Sequence, residues 1–431
     1  MRIKELIVLF VLFVTINTKA QYIVPAAAQT KSILLYGGTA HIGDGTVIEK
    51  SAIGIVNGKI SFVKDLSKDA VDKAGFQEVI DITGKHVYPG IIAANATLGL
   101  TEVGAVRATH DLSEVGGMNP NARALIAYNT DSKIIPTVRS NGILITQATP
   151  RDGIISGTSS IMELDGWNWQ DAVFKADDGI HMNWPHWRAD PGAAEKNKEY
   201  EKQLESLKKF FADSKAYFEA GTSIQEKDLK LEAMRGLFDG TKTLYIHSNL
   251  SKEITESVTF SKQMGVKKIV LAGGKDSWMI TDFLKENNVS VVLCRLHELP
   301  ERSDDDIDMV YKTPSLLQKA GVLFCLNYEC GMEAMGMRNL PFVAGTAAAY
   351  GLTKEEALSA ITLNTAKILG IDNRLGSLFA GKDATLFIST GDALDMRTNN
   401  VVLAYIRGKK IDLNTEQKML YEVYKGKYGI K

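Results

Sequence analysis

Residues 84–100 read GKHVYPGIIAANATLGL: a Gly-Lys turn, an apolar run, a Pro-Gly break and a second apolar run. The break at Pro89-Gly90 divides two kinds of sequence. Before it, SILLYGGTAHIG, SAIGIVNGKISFV and QEVIDITGKHVYPG are short apolar runs parted by Gly, Asn-Gly and Gly-Lys turns, which predicts a small β unit over residues 32–90. Asn57-Gly58 is the dipeptide of a tight two-residue hairpin. After the break, NGILITQATP, TKTLYIHSNL, VKKIVLAGG, VSVVLCRL and GVLFCLN are apolar runs without clean alternation, the pattern of strands buried on both faces. SKEITESVTFSKQMG, SWMITDFLKENN and TPSLLQKA separate the later ones as helices. A strand–helix repeat over residues 91–370 points to an α/β fold, an eight-stranded barrel or a doubly wound sheet.

The end of this region is sharply marked. Thr353 and Glu356 in LTKEEALSAITLNTAKILG form a capping box that opens one amphipathic helix through Leu358, Ile361 and Leu369, closed by Gly370. Residues 371–415 then return to strand, turn and strand in GKDATLFIST and NNVVLAYIRGKKI. These C-terminal strands are expected to pair with those of residues 32–90 into one composite β-sandwich around the barrel, leaving 416–431 as a tail. Between about Asp165 and Asp239 the repeat is interrupted by a stretch that reads as an insertion with a highly charged helix. Trp167, Trp169, Trp184 and Trp187 cluster there, either as anchors against the barrel or as an aromatic wall beside a ligand.

The chain has 431 residues, 45% hydrophobic and 23% charged, ample for a buried core. Arg2 and Lys4 precede an apolar run from Leu6 to Val14, and Thr18-Lys19-Ala20 follows with small residues, which predicts a signal peptide over residues 1–20 and a linker over 21–31. The run is too short to cross a bilayer core, and no cysteine lies near Ala20 to take a lipid. The expected compartment is therefore the periplasm or the cell exterior, without a membrane anchor. Loss of Arg2, Lys4, Lys19 and Glu5 moves the net charge from −1 to −3, which provides no footprint for nucleic acid. Cys294 and Cys325 lie in apolar strands as small hydrophobes, and with Cys330 they make no disulfide framework.

TGKHVYPGII and RNLPFVAGTAAAYGLTKEEALSAITLNTAKILGIDNRLGSLFAGKDATLFI together resemble the amidohydrolase superfamily, in its imidazolonepropionase-like and prolidase-like branch, from about Ser32 to Ile411. The resemblance implies a distorted (β/α)8 barrel with a composite sandwich. It also implies divalent metal held by a His-x-His pair on strand one, histidines on strands five and six and an aspartate on strand eight, where a metal-bound water attacks a carbonyl bonded to nitrogen. At those positions this chain reads Ala93, Asn95 and Thr97 on strand one, His247 on strand five, Gly273 on strand six, and Asn327, Tyr328 and Glu329 on strand eight. Only His247 is retained, with Glu329 as the substitute carboxylate and catalytic candidate. No cofactor is expected unless a zinc or other divalent site has been rebuilt.

Other residues are weighed in the same way. His41 and His86 belong to the sandwich; His181 with His186, or His110 with His297, would rebuild a site if they converged at the mouth. The RSDDDIDM loop, with Asp304, Asp305, Asp306 and Asp308, lacks the Gly and terminal Glu of a calcium loop and reads as solvated. RDGIISGTSS lacks the ending of a phosphate loop and reads as a turn and strand edge. A Ser or Thr nucleophile among Thr97, Ser159 and Ser248 lacks an adjacent base, since His247 and Ser248 point to opposite faces of a strand. Three functions remain open: an exported hydrolase of C–N bonds with weakened or lost activity, an inactive subunit of an active paralogue, or a protein that holds a small amide or peptide-like ligand. A homodimer or hetero-oligomer is the expected assembly.

Overall fold

Pro89-Gly90 is where the chain leaves one layer for another. In the computed structural model, which describes residues 24–188, 196–221, 226–328 and 333–430, a side chain at Gly90 would strike Leu144 and Thr385. Ahead of it, His86–Pro89 is a strand of a six-stranded sheet; behind it, Ile91–Ala96 starts an eight-stranded one.

The six-stranded sheet runs in the order Lys409–Lys410, Val401–Ile406, Leu386–Ser389, His86–Pro89, Thr39–His41, Val47–Ile48. Three strands from each end of the chain thus share one sheet, and the seam is the antiparallel pairing of Val87 with Ile388 and of Pro89 with Leu386. The second sheet, in the order Lys59–Asp65, Ser51–Val56, Ile33–Tyr36, Glu78–Asp81, packs on it around Ile53, Ile55, Val87, Leu386 and Tyr405. Asn57 and Gly58 both have positive φ, +50° and +76°, which closes the hairpin with the twist the strands need.

The barrel strands are β1 (Ile91–Ala96), β2 (Ile143–Ala148), β3 (Ile155–Glu163), β4 (Val173–Asn183), β5 (Thr243–Ser248), β6 (Ile269–Gly273), β7 (Ser290–Leu293) and β8 (Phe324–Leu326). They pair in chain order, parallel throughout except β3, which runs antiparallel to both β2 and β4. This reversal distorts the barrel. Among the described residues no ladder joins β1 to β8; the turn at Ala360–Ile361 fills the gap instead. Its carbonyls accept from Leu326 N–H at 2.9 Å and Ile92 N–H at 3.0 Å.

That turn corrects one expectation. The capping box forms, with Thr353 N–H on Glu356 Oε2 at 2.7 Å and Glu356 N–H on Thr353 Oγ1 at 3.2 Å. The helix it opens, Lys354–Ser359, nevertheless stops before Ala360, and a second helix, Leu363–Leu369, follows. The carbonyls of Ala360 and Ile361 are spent on the barrel instead of on a continuous helix.

A second correction concerns residues 165–239. Most of this stretch is not an insertion: it contains β4 and the helices Tyr200–Ala220 and Leu229–Asp239, which lead into β5. β4 hides in the sequence because its first half, VFKADD, is charged, and that half pairs only with β3. The predicted tail is a helix, Glu416–Tyr428, capped by Thr415 and without a buried residue. The predicted signal peptide lies outside the described residues; among them no helix is long and apolar enough to cross a membrane.

Candidate active site

The C-terminal ends of β1, β2, β4 and β5 bring four polar side chains together. Asn95, next to last in β1, is fully buried with φ +48°, a left-handed backbone that asparagine tolerates. Its Oδ1 accepts from Arg151 Nη1 at 3.0 Å and its backbone carbonyl from Arg151 Nη2 at 2.9 Å, so the guanidinium that follows β2 clasps it with two hydrogen bonds. His181 from β4 and His247 from β5 meet with Nδ1 and Nε2 2.9 Å apart. Burial, then His247, then Arg151 hold His181 neutral, with its proton affinity well below the ordinary imidazole range.

Beneath them lies a second polar layer. Asp178 of β4 is buried; its Oδ1 accepts from Ser159 Oγ at 2.8 Å, and its Oδ2 from Gln147 Nε2 at 2.8 Å and Tyr245 Oη at 3.0 Å. Burial raises the Asp178 pKa against these three donors. The layer steers the one above. Gln147 Oε1 accepts from Asn95 N–H at 2.9 Å, and the Tyr245 ring stacks on His181 at 4.6 Å with 7° between planes. Both histidine and asparagine are thus held from below, as a preorganised site requires.

Of the residues singled out from the sequence, Asn95 and His247 are in the cluster, and Thr97 is buried just beyond β1. Gly273 is at the end of β6 with φ +105°; a side chain there would meet Asn249 Oδ1 and the Ser248 carbonyl within 3 Å, so this position cannot supply a ligand. Glu329 and Cys330 lie outside the described residues. The aromatic wall does not form from all four tryptophans. Trp167 and Trp169 follow the antiparallel β3 and so lie toward the opposite end of the barrel, Trp167 two-thirds exposed. Trp184 follows β4, is buried against Phe260 at 5.6 Å and anchors the loop through its backbone N–H on the His247 carbonyl. Trp187 lies under the Lys252 ammonium at 4.2 Å.

Neither expected histidine pairing forms. His181 meets His247, while His186 approaches Glu253 at 3.6 Å; His297 bonds Thr346 Oγ1 at 2.7 Å and His110 the Val103 carbonyl at 3.2 Å. The acidic loop is tied by ion pairs from Arg302 to Asp305 and from Lys312 to Asp306 and Asp308. One member of the cluster, Arg151, escapes the sequence reading, and His181 is weighed there only as a partner of His186. His181 is hidden with β4, although GIHMN carries the same Ile-His step as LYIHSN. Arg151 reads as a turn residue, and nothing local marks it otherwise. Over β6 and β7 a small pocket of about 30 Å³ is lined by Gly273, Trp278, Cys294, Leu296 and Met309, with none of the four cluster residues in its wall.

The chain matches the amidohydrolase family over residues 198–411. Among solved structures, an amidohydrolase from Thermotoga maritima MSB8 superposes with a TM-score of 0.77 at 23% identity, covering 88% of this chain and 99% of that one. An Xaa-Pro dipeptidase with methionine bound in its active site gives 0.55 at 15%, covering 88% and 100%. An adenosine deaminase from Xanthomonas campestris with bound zinc gives 0.52 at 15%, covering 92% and 98%. Among curated proteins none matches the sequence.

These relatives correct the expectation that no cofactor is involved. One protein of this fold holds zinc, so a divalent metal is the group the fold implies. The residues described do not, however, fit such an ion. Among them no group of three His, Cys, Asp or Glu side chains is placed to hold a metal. The facing nitrogens of His181 and His247 are spent on each other, and a guanidinium occupies the Asn95 side-chain oxygen. Among the described residues, a catalytic step through a metal would therefore have no ligand set to rest on.

Proposed function

The chain belongs to the amidohydrolase superfamily, and from that premise we propose that it acts at the barrel mouth on a small amide or peptide-like molecule, hydrolysing its C–N bond with weakened turnover. One observation carries the reading: Asn95, Arg151, His181 and His247 converge at the C-terminal ends of four barrel strands, where such barrels place their chemistry. The Asn95 amide supplies a donor for a carbonyl, while neutral His181 has a buried Nε2 without a partner. Weak turnover follows from Asn95, Thr97 and Gly273, none of which offers an imidazole. The basic and apolar leader supports export to the periplasm or cell exterior.

The test is hydrolysis of a panel of dipeptides and N-acyl amino acids by the purified protein, with zinc, manganese or cobalt supplied in turn and bound metal counted. Slow C–N cleavage that disappears in His247→Ala supports the reading. The clasp of Arg151 on Asn95 favours a second one, a barrel that binds the same molecules without cleaving them, alone as a dimer or beside an active paralogue. Saturable binding with no turnover under any metal would select it.

A further inference from the structure

We propose that the side-chain amide of Asn95 is the anchor for the ligand, donating a hydrogen bond to a carbonyl or carboxylate oxygen; this rests on the barrel mouth being the ligand site. Arginine only donates, so the Asn95 atom facing Arg151 must be the oxygen, and the contact itself settles the orientation of the amide. Its Nδ2 then carries two N–H donors, is buried, and has no partner. Buried donors are almost always satisfied, and every other polar atom of Asn95 is: N–H on Gln147, carbonyl and Oδ1 on Arg151.

A second unsatisfied atom lies in the same cluster. His181 Nε2 is buried without a partner, while its Nδ1 is taken by His247 and its ring is clamped by Tyr245. Elsewhere in the mouth the polar atoms of Gln147, Ser159 and Asp178 are paired with one another. Within the four-residue cluster the unpartnered buried atoms are thus one obligate donor and one imidazole nitrogen, with Ser248 Oγ and the Trp184 indole N–H unpartnered at its edge. An obligate donor fixes the chemical class. The ligand must present an oxygen acceptor to Asn95, and an ammonium group at that point would leave both unsatisfied.

The experiment uses the full chain and three probes, N-acetylalanine, its amide, and butylamine, measured by calorimetric titration against the wild-type protein, Asn95→Asp and Asn95→Gly. Aspartate keeps the acceptor for Arg151 but replaces the donor by an oxygen; glycine suits the left-handed backbone and removes the amide. Both variants should bind N-acetylalanine at least about 30-fold more weakly, in line with one lost buried hydrogen bond. Equal loss for both probes identifies an amide carbonyl as the partner, and loss for N-acetylalanine alone identifies a carboxylate. Binding of both oxygen-bearing probes that survives within threefold in both variants overturns this assignment and leaves the proposed function standing. If the wild-type protein neither binds nor cleaves any oxygen-bearing probe, the functional reading itself fails.

Discussion

The molecule contains two histidine pairs in nearly the same contact. In the sandwich, His41 Nε2 and His86 Nδ1 are 3.0 Å apart; at the barrel mouth, His181 Nδ1 and His247 Nε2 are 2.9 Å apart. Each pair also has one imidazole stacked on a tyrosine, His41 on Tyr88 at 4.4 Å and His181 on Tyr245 at 4.6 Å. Their surroundings differ. Glu355 Oε1 is 2.7 Å from His41 Nδ1, a carboxylate acceptor that draws a ring proton to Nδ1 and favours the tautomer whose Nε2 accepts from His86. At the mouth the carboxylate is one residue removed, Asp178 behind Tyr245, and among the described residues the Arg151 cation bears on His181. The same contact therefore closes a structural seam in one place and leaves an open nitrogen in the other.

The sharpest way to break this comparison is to remove the carboxylate behind each pair. Asp178→Ala strands the Ser159 hydroxyl, the Gln147 amide and the Tyr245 hydroxyl inside the barrel. It should cost about 3–5 kcal/mol in urea unfolding, whereas Asp178→Asn, which keeps two acceptor contacts, should cost roughly half as much. A cost for Asp178→Ala near zero would mean that the lower layer does not organise the mouth.

The next effect is on pH dependence. His181 is held neutral in the folded chain, well below its ordinary value of 6.5, so the unfolded chain binds the extra proton. Stability contributed this way is complete above pH 6.5 and is lost as pH falls below it, at up to about 1.4 kcal/mol per pH unit. Urea midpoints between pH 7.5 and 5.5 should fall accordingly, and His181→Gln should flatten the slope. His86, whose pKa is lowered by partial burial and by His41, shifts in the same direction but keeps solvent contact, so His86→Gln should flatten it less. Equal flattening would erase the distinction between the pairs.

How much of this was legible follows from where each signal resides. The sandwich seam could be read because His86–Pro89 and Leu386–Ser389 are short, turn-bounded apolar runs whose pairing partners lie at opposite ends of the chain. β5, β6 and β7 could be read from apolar density alone. β4 could not, because VFKADD is charged where it leaves the barrel wall, and without β4 His181 was paired with His186 instead of His247. The break at Ala360 was invisible for the opposite reason: the local pattern favours a continuous helix, and distant strands, through Leu326 and Ile92, override it. Positions 95, 97 and 273 could be found by resemblance, but what stands there instead could not. Arg151 reaches Asn95 across 56 residues, and no local pattern encodes that contact.

The smallest expected effect separates the pairs most cleanly. Glu355 and His41 keep 19% and 15% of their side-chain surface in water, so their contact is screened and its removal is repaired by solvent. Glu355→Gln retains an oxygen acceptor for His41 Nδ1 and should change stability by no more than about 0.5 kcal/mol; Glu355→Ala should cost about 1 kcal/mol. Neither should alter ligand binding or turnover at the mouth, since Glu355 belongs to the helix Lys354–Ser359 and contacts the sandwich. Loss of turnover in Glu355→Gln at unchanged stability would mean that the two pairs communicate, through the Ala360–Ile361 turn that joins this helix to β1 and β8. Independence, by contrast, would leave the sandwich pair as a tautomer-fixed seam and the mouth pair as the one with a buried nitrogen to offer a ligand.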